Sequence, residues 1–205
     1  MNDIKKTNEY ALAGWLAITA GAITLPMFVL GFGLEIISKR APEIISLFLV
    51  PYLLLSVLHT IFSIYAFLRF KRLLNKKHDF HEVDGLITAI VIGVIIIALL
   101  AYPGKVLTVL GIFDLQMTLI FVVGIIMLAV VTGILSLIFA IKLLNLNSNL
   151  NGYLKPYCYV TIVAAACFMI FIAAPLGLLL DAAGNVILGL IFLKPDAKEQ
   201  LPEFV

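Results

Sequence analysis

Residues Ile172 to Lys194 read IAAPLGLLLDAAGNVILGLIFLK, an apolar tail carrying one proline, three glycines and one aspartate. The uncharged run leading into it starts at Pro156, and apart from Asp181 it continues to Leu193. As a single helix those 38 residues would be about 57 Å long. That is nearly twice the roughly 30 Å of bilayer hydrocarbon, more than tilt absorbs. A break is therefore expected at Pro175–Gly177, where proline removes a backbone donor and glycine permits helix-ending angles. Two spans result, 156–174 and 178–193. The second holds 16 residues, so five spans plus a short or re-entrant last helix is the alternative. Asp181 follows the break by four residues beside Ala-Ala-Gly-Asn, which has turn and N-cap chemistry. It is expected at an outer turn or cap, with burial for function as the rival.

Working outward, four more uncharged runs appear at 10–34, 44–68, 85–102 and 115–141, each near the 20 residues that cross a bilayer. The chain has 205 residues, 63% hydrophobic and 13% charged, whereas soluble domains are about half apolar and a quarter charged. Lipid must solvate most of this surface. The expected fold is all-α and polytopic, six transmembrane helices as three hairpins in a single domain over 1–205, with a cytoplasmic loop at 69–84. The first run is too long for a signal-peptide core of about 7–15 residues and reads as an uncleaved span.

Basic residues orient the chain, because lysine and arginine favour the cytoplasmic side. With six spans, eleven of the fourteen fall on the side of both termini, and Lys39, Arg40 and Lys105 on the other. Five spans would make the split nine to five. Both termini are thus expected in the cytoplasm, in a bacterial-type inner membrane. The short sequences Val57–Phe62, Ile134–Phe139 and Ile187–Phe192, with Pro26, Pro103 and Pro175, hint at three repeated hairpins, each with a proline late in its first helix.

Ionisable groups inside a span are functional candidates by default. His59 is the one such side chain well inside a confident span, with a helix-packing hydrogen bond as its plainer reading. On the outer side, a Pro-Gly turn at 103–104 would lead to an interfacial helix, with Lys105 at the headgroups and Asp114 capping the fourth span. Lys105, Asp114 and Asp181 could meet at an outer mouth. In the polar loop, His78 and His81 are spaced i, i+3 beside Glu82, a spacing that could present ligands to a divalent metal. Ala13, Ala17 and Gly21 make a small-residue stripe suited to helix packing. Tyr153, Tyr157 and Tyr159 suggest an interfacial aromatic belt. Cys158 and Cys167 lie nine residues apart, about 13.5 Å along a helix, too far to bridge.

A net charge of +2 with no basic–aromatic stripe argues against nucleic acid. No phosphate loop, nucleophile elbow or CxxC occurs, and no cofactor is expected. The bilayer is the expected partner, with another membrane protein or a second copy as further partners. The leading expectation is a non-catalytic membrane subunit or scaffold. A small transporter or channel is the alternative, and an enzyme acting on lipid or quinone the third.

Overall fold

A computed structural model describes residues 9–146, 150–170 and 173–194. The basic residues Lys5, Lys6 and Lys198, counted above, lie outside the described residues. Six α-helices account for nearly all the rest: α1 Ala11–Arg40, α2 Ile45–His78, α3 Asp84–Val109, α4 Leu115–Leu143, α5 Leu154–Met169 and α6 Ala174–Leu193. Five are long and apolar enough to cross a membrane, and α5 is a shorter apolar helix of 16 residues. The chain is a polytopic helical bundle of the membrane type.

Each helix packs against its neighbours in sequence, and α6 returns against α1, so the six close into a ring. Small residues make that closure possible. A Cβ on Gly21 would lie 2.6 Å from the Ala182 carbonyl oxygen, and one on Gly189 2.7 Å from that of Gly14. Ala13 and Ala17 are buried beside them. Backbones approach this closely only where side chains are absent or minimal. Tyr10 stacks on Phe192 with centroids 5.9 Å apart, so α1 starts where α6 ends, at one end of the bundle. Phe70 meets Phe192 and Tyr157 edge-on, and with Phe139, Leu143 and Ile87 they form the main core at that end. A smaller cluster of Leu34, Ile45 and Leu49 fills the other end. Large apolar side chains cover the outside, Leu115 at 86% exposure and Leu99 and Leu47 at 69% each. Such a surface suits lipid and would aggregate in water.

The described helices correct several expectations. α5 stops at Met169 and α6 starts at Ala174, with Pro175 in its first turn. Proline fits there because the first turn needs no donor, so Pro175 opens a helix where it was expected to close one. The 178–193 span becomes a full 20-residue helix, and the short member of the pair is α5. Pro175 therefore sits in the second helix of its hairpin, out of step with Pro26 in α1 and Pro103 in α3, and the repeat loses its third proline. α3 runs through Pro103 and Gly104 with no Pro-Gly turn. The ring of Phe121 on α4 occupies the space a side chain at Gly104 would need, which holds the two helices together there. The turn comes later, at Gly111 with φ +69°.

The expected loop 69–84 is largely helix. α2 continues to His78, where Asp79 takes the left-handed conformation (φ 49°) and ends it. Only 79–83 connect to α3. The corner is held by Asn75, whose Nδ2 donates to both carboxylate oxygens of Asp84 at 3.0 and 2.8 Å.

Candidate functional site

Inside the ring lies a cavity of about 360 Å³, walled by α2 to α6. Its wall is mostly apolar, including Phe67, Phe139 and Phe168, but four helices each bring a polar pair at i, i+4. They are His59 and Ser63 on α2, Thr132 and Ser136 on α4, Tyr157 and Thr161 on α5, and Asp181 and Asn185 on α6. That spacing places both members of a pair on one helical face. From Tyr157 to Phe168 on α5, the cavity wall covers about 16 Å of helix length.

Asp181 is the eighth residue of α6, about 10 Å along the helix from its start. The expected outer turn is thus overturned: Asp-Ala-Ala-Gly-Asn is continuous helix, and Asp181 points into the bundle interior. The aspartate and asparagine whose chemistry suggested a turn instead stand one helical turn apart, and Asn185 Nδ2 donates to Asp181 Oδ2 at 3.2 Å. Ala182, the next residue, is buried, and its carbonyl oxygen is the atom that approaches Gly21 of α1. Across the cavity stands His59, and the two groups are near enough to act on each other electrostatically. His59 Nε2 is buried without a hydrogen-bond partner among the described residues, and so is Ser63 Oγ one turn away. Buried polar atoms are satisfied in the great majority of cases, so two such orphans on one cavity wall mark it as a place for a polar guest.

The other hydroxyls of the wall behave differently. Thr132 Oγ1 donates to the Leu128 carbonyl and Thr161 Oγ1 to that of Tyr157, both at 2.8 Å. Such back-bonding keeps a hydroxyl satisfied in an apolar helix. Thr60 pairs with Tyr102 of α3, whose hydroxyl also donates to the Ser56 carbonyl at 2.8 Å, tying α2 to α3 at the cavity rim.

The remaining candidates do not join this site. Lys105 meets Glu35 of α1 at 3.4 Å, and Asp114 caps α4 by accepting from Met117 N at 2.7 Å. The outer cluster of Lys105, Asp114 and Asp181 is therefore not assembled. His81 lies 3.3 Å from each of Asp79 and Asp84, and His78 is the last residue of α2. No group of three histidine, cysteine or acidic side chains placed to hold a metal occurs among the described residues, so His78, His81 and Glu82 do not come together as ligands. Tyr159 is exposed as a belt residue would be, but Tyr157 is buried and belongs to the cavity. Cys158 and Cys167 are buried free thiols.

Ser63, Thr132, Ser136, Thr161 and Asn185 were not singled out from the sequence. The signal was present: within the apolar stretches of four helices, two polar residues stand four apart. A search for lone charges passes over it.

Comparison with protein-family models, curated proteins and solved structures finds no match. The chemistry of the cavity has to speak for itself.

Proposed function

We propose that the protein is a membrane transporter for a small solute, with the central cavity as its solute chamber. One observation carries this reading: a cavity among the membrane-spanning helices, with Asp181 and His59 on its wall. Ionisable groups at such depth are costly to keep, and in membrane proteins they line solute and ion pathways. The scaffold reading gives neither the cavity nor its polar pairs anything to do. A lipid- or quinone-directed enzyme would need an activated nucleophile. Ser63, the hydroxyl one turn from His59, makes no hydrogen bond to the imidazole: His59 Nε2 and Ser63 Oγ each lack a partner among the described residues.

The orientation belongs to the same reading. The bundle end with Tyr10 and Phe192 also holds the basic stretch Arg69 to Lys77, which favours a cytoplasmic location for that end and for both termini. A bacterial-type inner membrane suits so small a polytopic chain with this charge bias.

The test is exchange in proteoliposomes, using a panel of radiolabelled small cations, anions and neutral solutes. At least one should exchange well above empty liposomes. Asp181→Asn should lower that flux about tenfold or more, since it removes the only carboxylate that the described residues bring to the chamber. Its gel-filtration and circular-dichroism profiles should stay unchanged. Exchange no faster than through empty liposomes for the whole panel would overturn the transport reading.

A further inference from the structure

The charge on the cavity wall is one-sided. Among the described residues, Asp181 is its only carboxylate, and no lysine or arginine lines the space. The other titratable side chains of the wall are His59 on α2 and Tyr157 on α5, while α3 and α4 contribute none. α1 meets α6 beside Asp181 through Gly21, which has no side chain to titrate. An anion would find no permanent counter-charge here. A neutral guest leaves Asp181 to be neutralised by a proton, whereas a cationic guest pairs with the carboxylate directly and gives its burial a use. A calcium or magnesium ion takes about six or more oxygens in a tight shell, and zinc takes about three or four histidine, cysteine or acidic ligands, of which no group of three occurs among the described residues. The cavity of about 360 Å³ is far larger than such a shell, and its size falls in the range of small-molecule pockets.

The acceptors and the aromatic wall narrow the ligand further. His59 Nε2 and Ser63 Oγ lack partners, and both can accept from an N–H group, the imidazole when its proton sits on Nδ1. Asn185 orients the carboxylate from the same helix. Phe67, Phe139 and Phe168 offer ring surfaces that bury an apolar body and attract a cation to their faces. We propose that the cavity binds a small protonated amine with an apolar body, its ammonium group at Asp181 and within reach of His59 and Ser63, its body against the phenylalanines. This rests on the cavity being the solute chamber proposed above.

The experiment uses the full chain in nanodiscs of zwitterionic lipid, so that lipid charge does not collect the probe. Three probes of similar size are titrated by calorimetry: 2-phenylethylammonium, 2-phenylethanol and phenylacetate. The ammonium should bind saturably, about tenfold or more tighter than either other probe. Asp181→Asn should weaken it by roughly tenfold or more, and Asp181→Glu should retain much of the affinity. Equal binding of the alcohol or the carboxylate, an unchanged Asp181→Asn, or no saturable binding of the ammonium would each overturn the proposal. If Asp181→Asn fails to fold, the three-probe comparison on the unaltered chain decides. The two readings fail separately. Amine binding without exchange in proteoliposomes would sink transport and leave the ligand assignment standing, whereas exchange confined to anions or neutral solutes would do the reverse.

Discussion

A carboxylate two turns inside an apolar helix must be neutralised by a proton or a partner, because an unpaired ion there costs several kcal/mol. Asp181 has Asn185 on its own helix and His59 across the cavity. Removing the amide should therefore matter beyond packing. Asn185→Ala should weaken amine binding by roughly tenfold, the worth of a hydrogen bond to a charged group. Calorimetry with 2-phenylethylammonium measures it, and an unchanged affinity would remove Asn185 from the site. Asp114 offers a contrast among acidic residues. Its side chain caps α4 outside the cavity, so Asp114→Ala should lower stability by about 1 kcal/mol, and Asp114→Asn by much less. Unfolding in mixed micelles would show the difference, and solute flux should not change with either variant.

At the scale of elements, glycine marks where helices touch. Gly189 approaches Ile18 and the Gly14 carbonyl, whereas nothing lies within 4 Å of where a Cβ on Gly33 would sit, though both glycines are in helices. Gly189→Val should destabilise the bundle by about 2 kcal/mol or more through overpacking. Gly33→Val should be nearly neutral, because nothing lies within 4 Å of the added Cβ. Equal unfolding midpoints for the two variants would mean that α1 and α6 are not packed at this seam. Helix ends follow the same reasoning. Proline was expected to end a helix at 175, yet it sits comfortably in the first turn of α6, while Pro103 is carried through α3. Membrane helices tolerate interior proline because neighbouring helices and local adjustment re-satisfy the freed groups. Position within the helix decides its effect, and that position depends on where the preceding helix stops.

For the whole molecule, the closure of α1 on α6 completes the ring around the cavity and places the start of α1 and the end of α6 at one end of the bundle. Single cysteines can test this arrangement with an impermeant maleimide, after Cys158 and Cys167 are replaced. Cysteine at Ile112 should be labelled in intact cells, and cysteine at Asp79 only after the membrane is opened. Cysteine at Ala182 should resist labelling in both cases, since the position is buried and its backbone lies against Gly21 of α1. Labelling at Ala182 from outside would restore the external turn once expected there and remove Asp181 from the cavity. Labelling of positions 79 and 112 from the same side would break the hairpin topology.

Composition and run length fixed the coarse outline: lipid as the solvent, helices as the regular structure of the described residues, and one helix for each apolar run, though α2 and α3 extend past their expected ends. These follow from the hydrophobic effect and from the length that spans lipid, both of which act along the chain. The capping role of Asp114 was legible for the same reason, since an N-cap needs only its own three neighbours. The site was legible only in fragments. His59 and Asp181 stood out as rare ionisable groups, but Asp181 was assigned to a turn, because DAAGN carries the same local chemistry in a turn as in a helix. Only the tertiary structure decided that α6 begins before Pro175, that α6 closes on α1, and that polar pairs from four helices face one space. Those outcomes depend on which helical faces meet, and that is settled by packing between residues far apart in sequence.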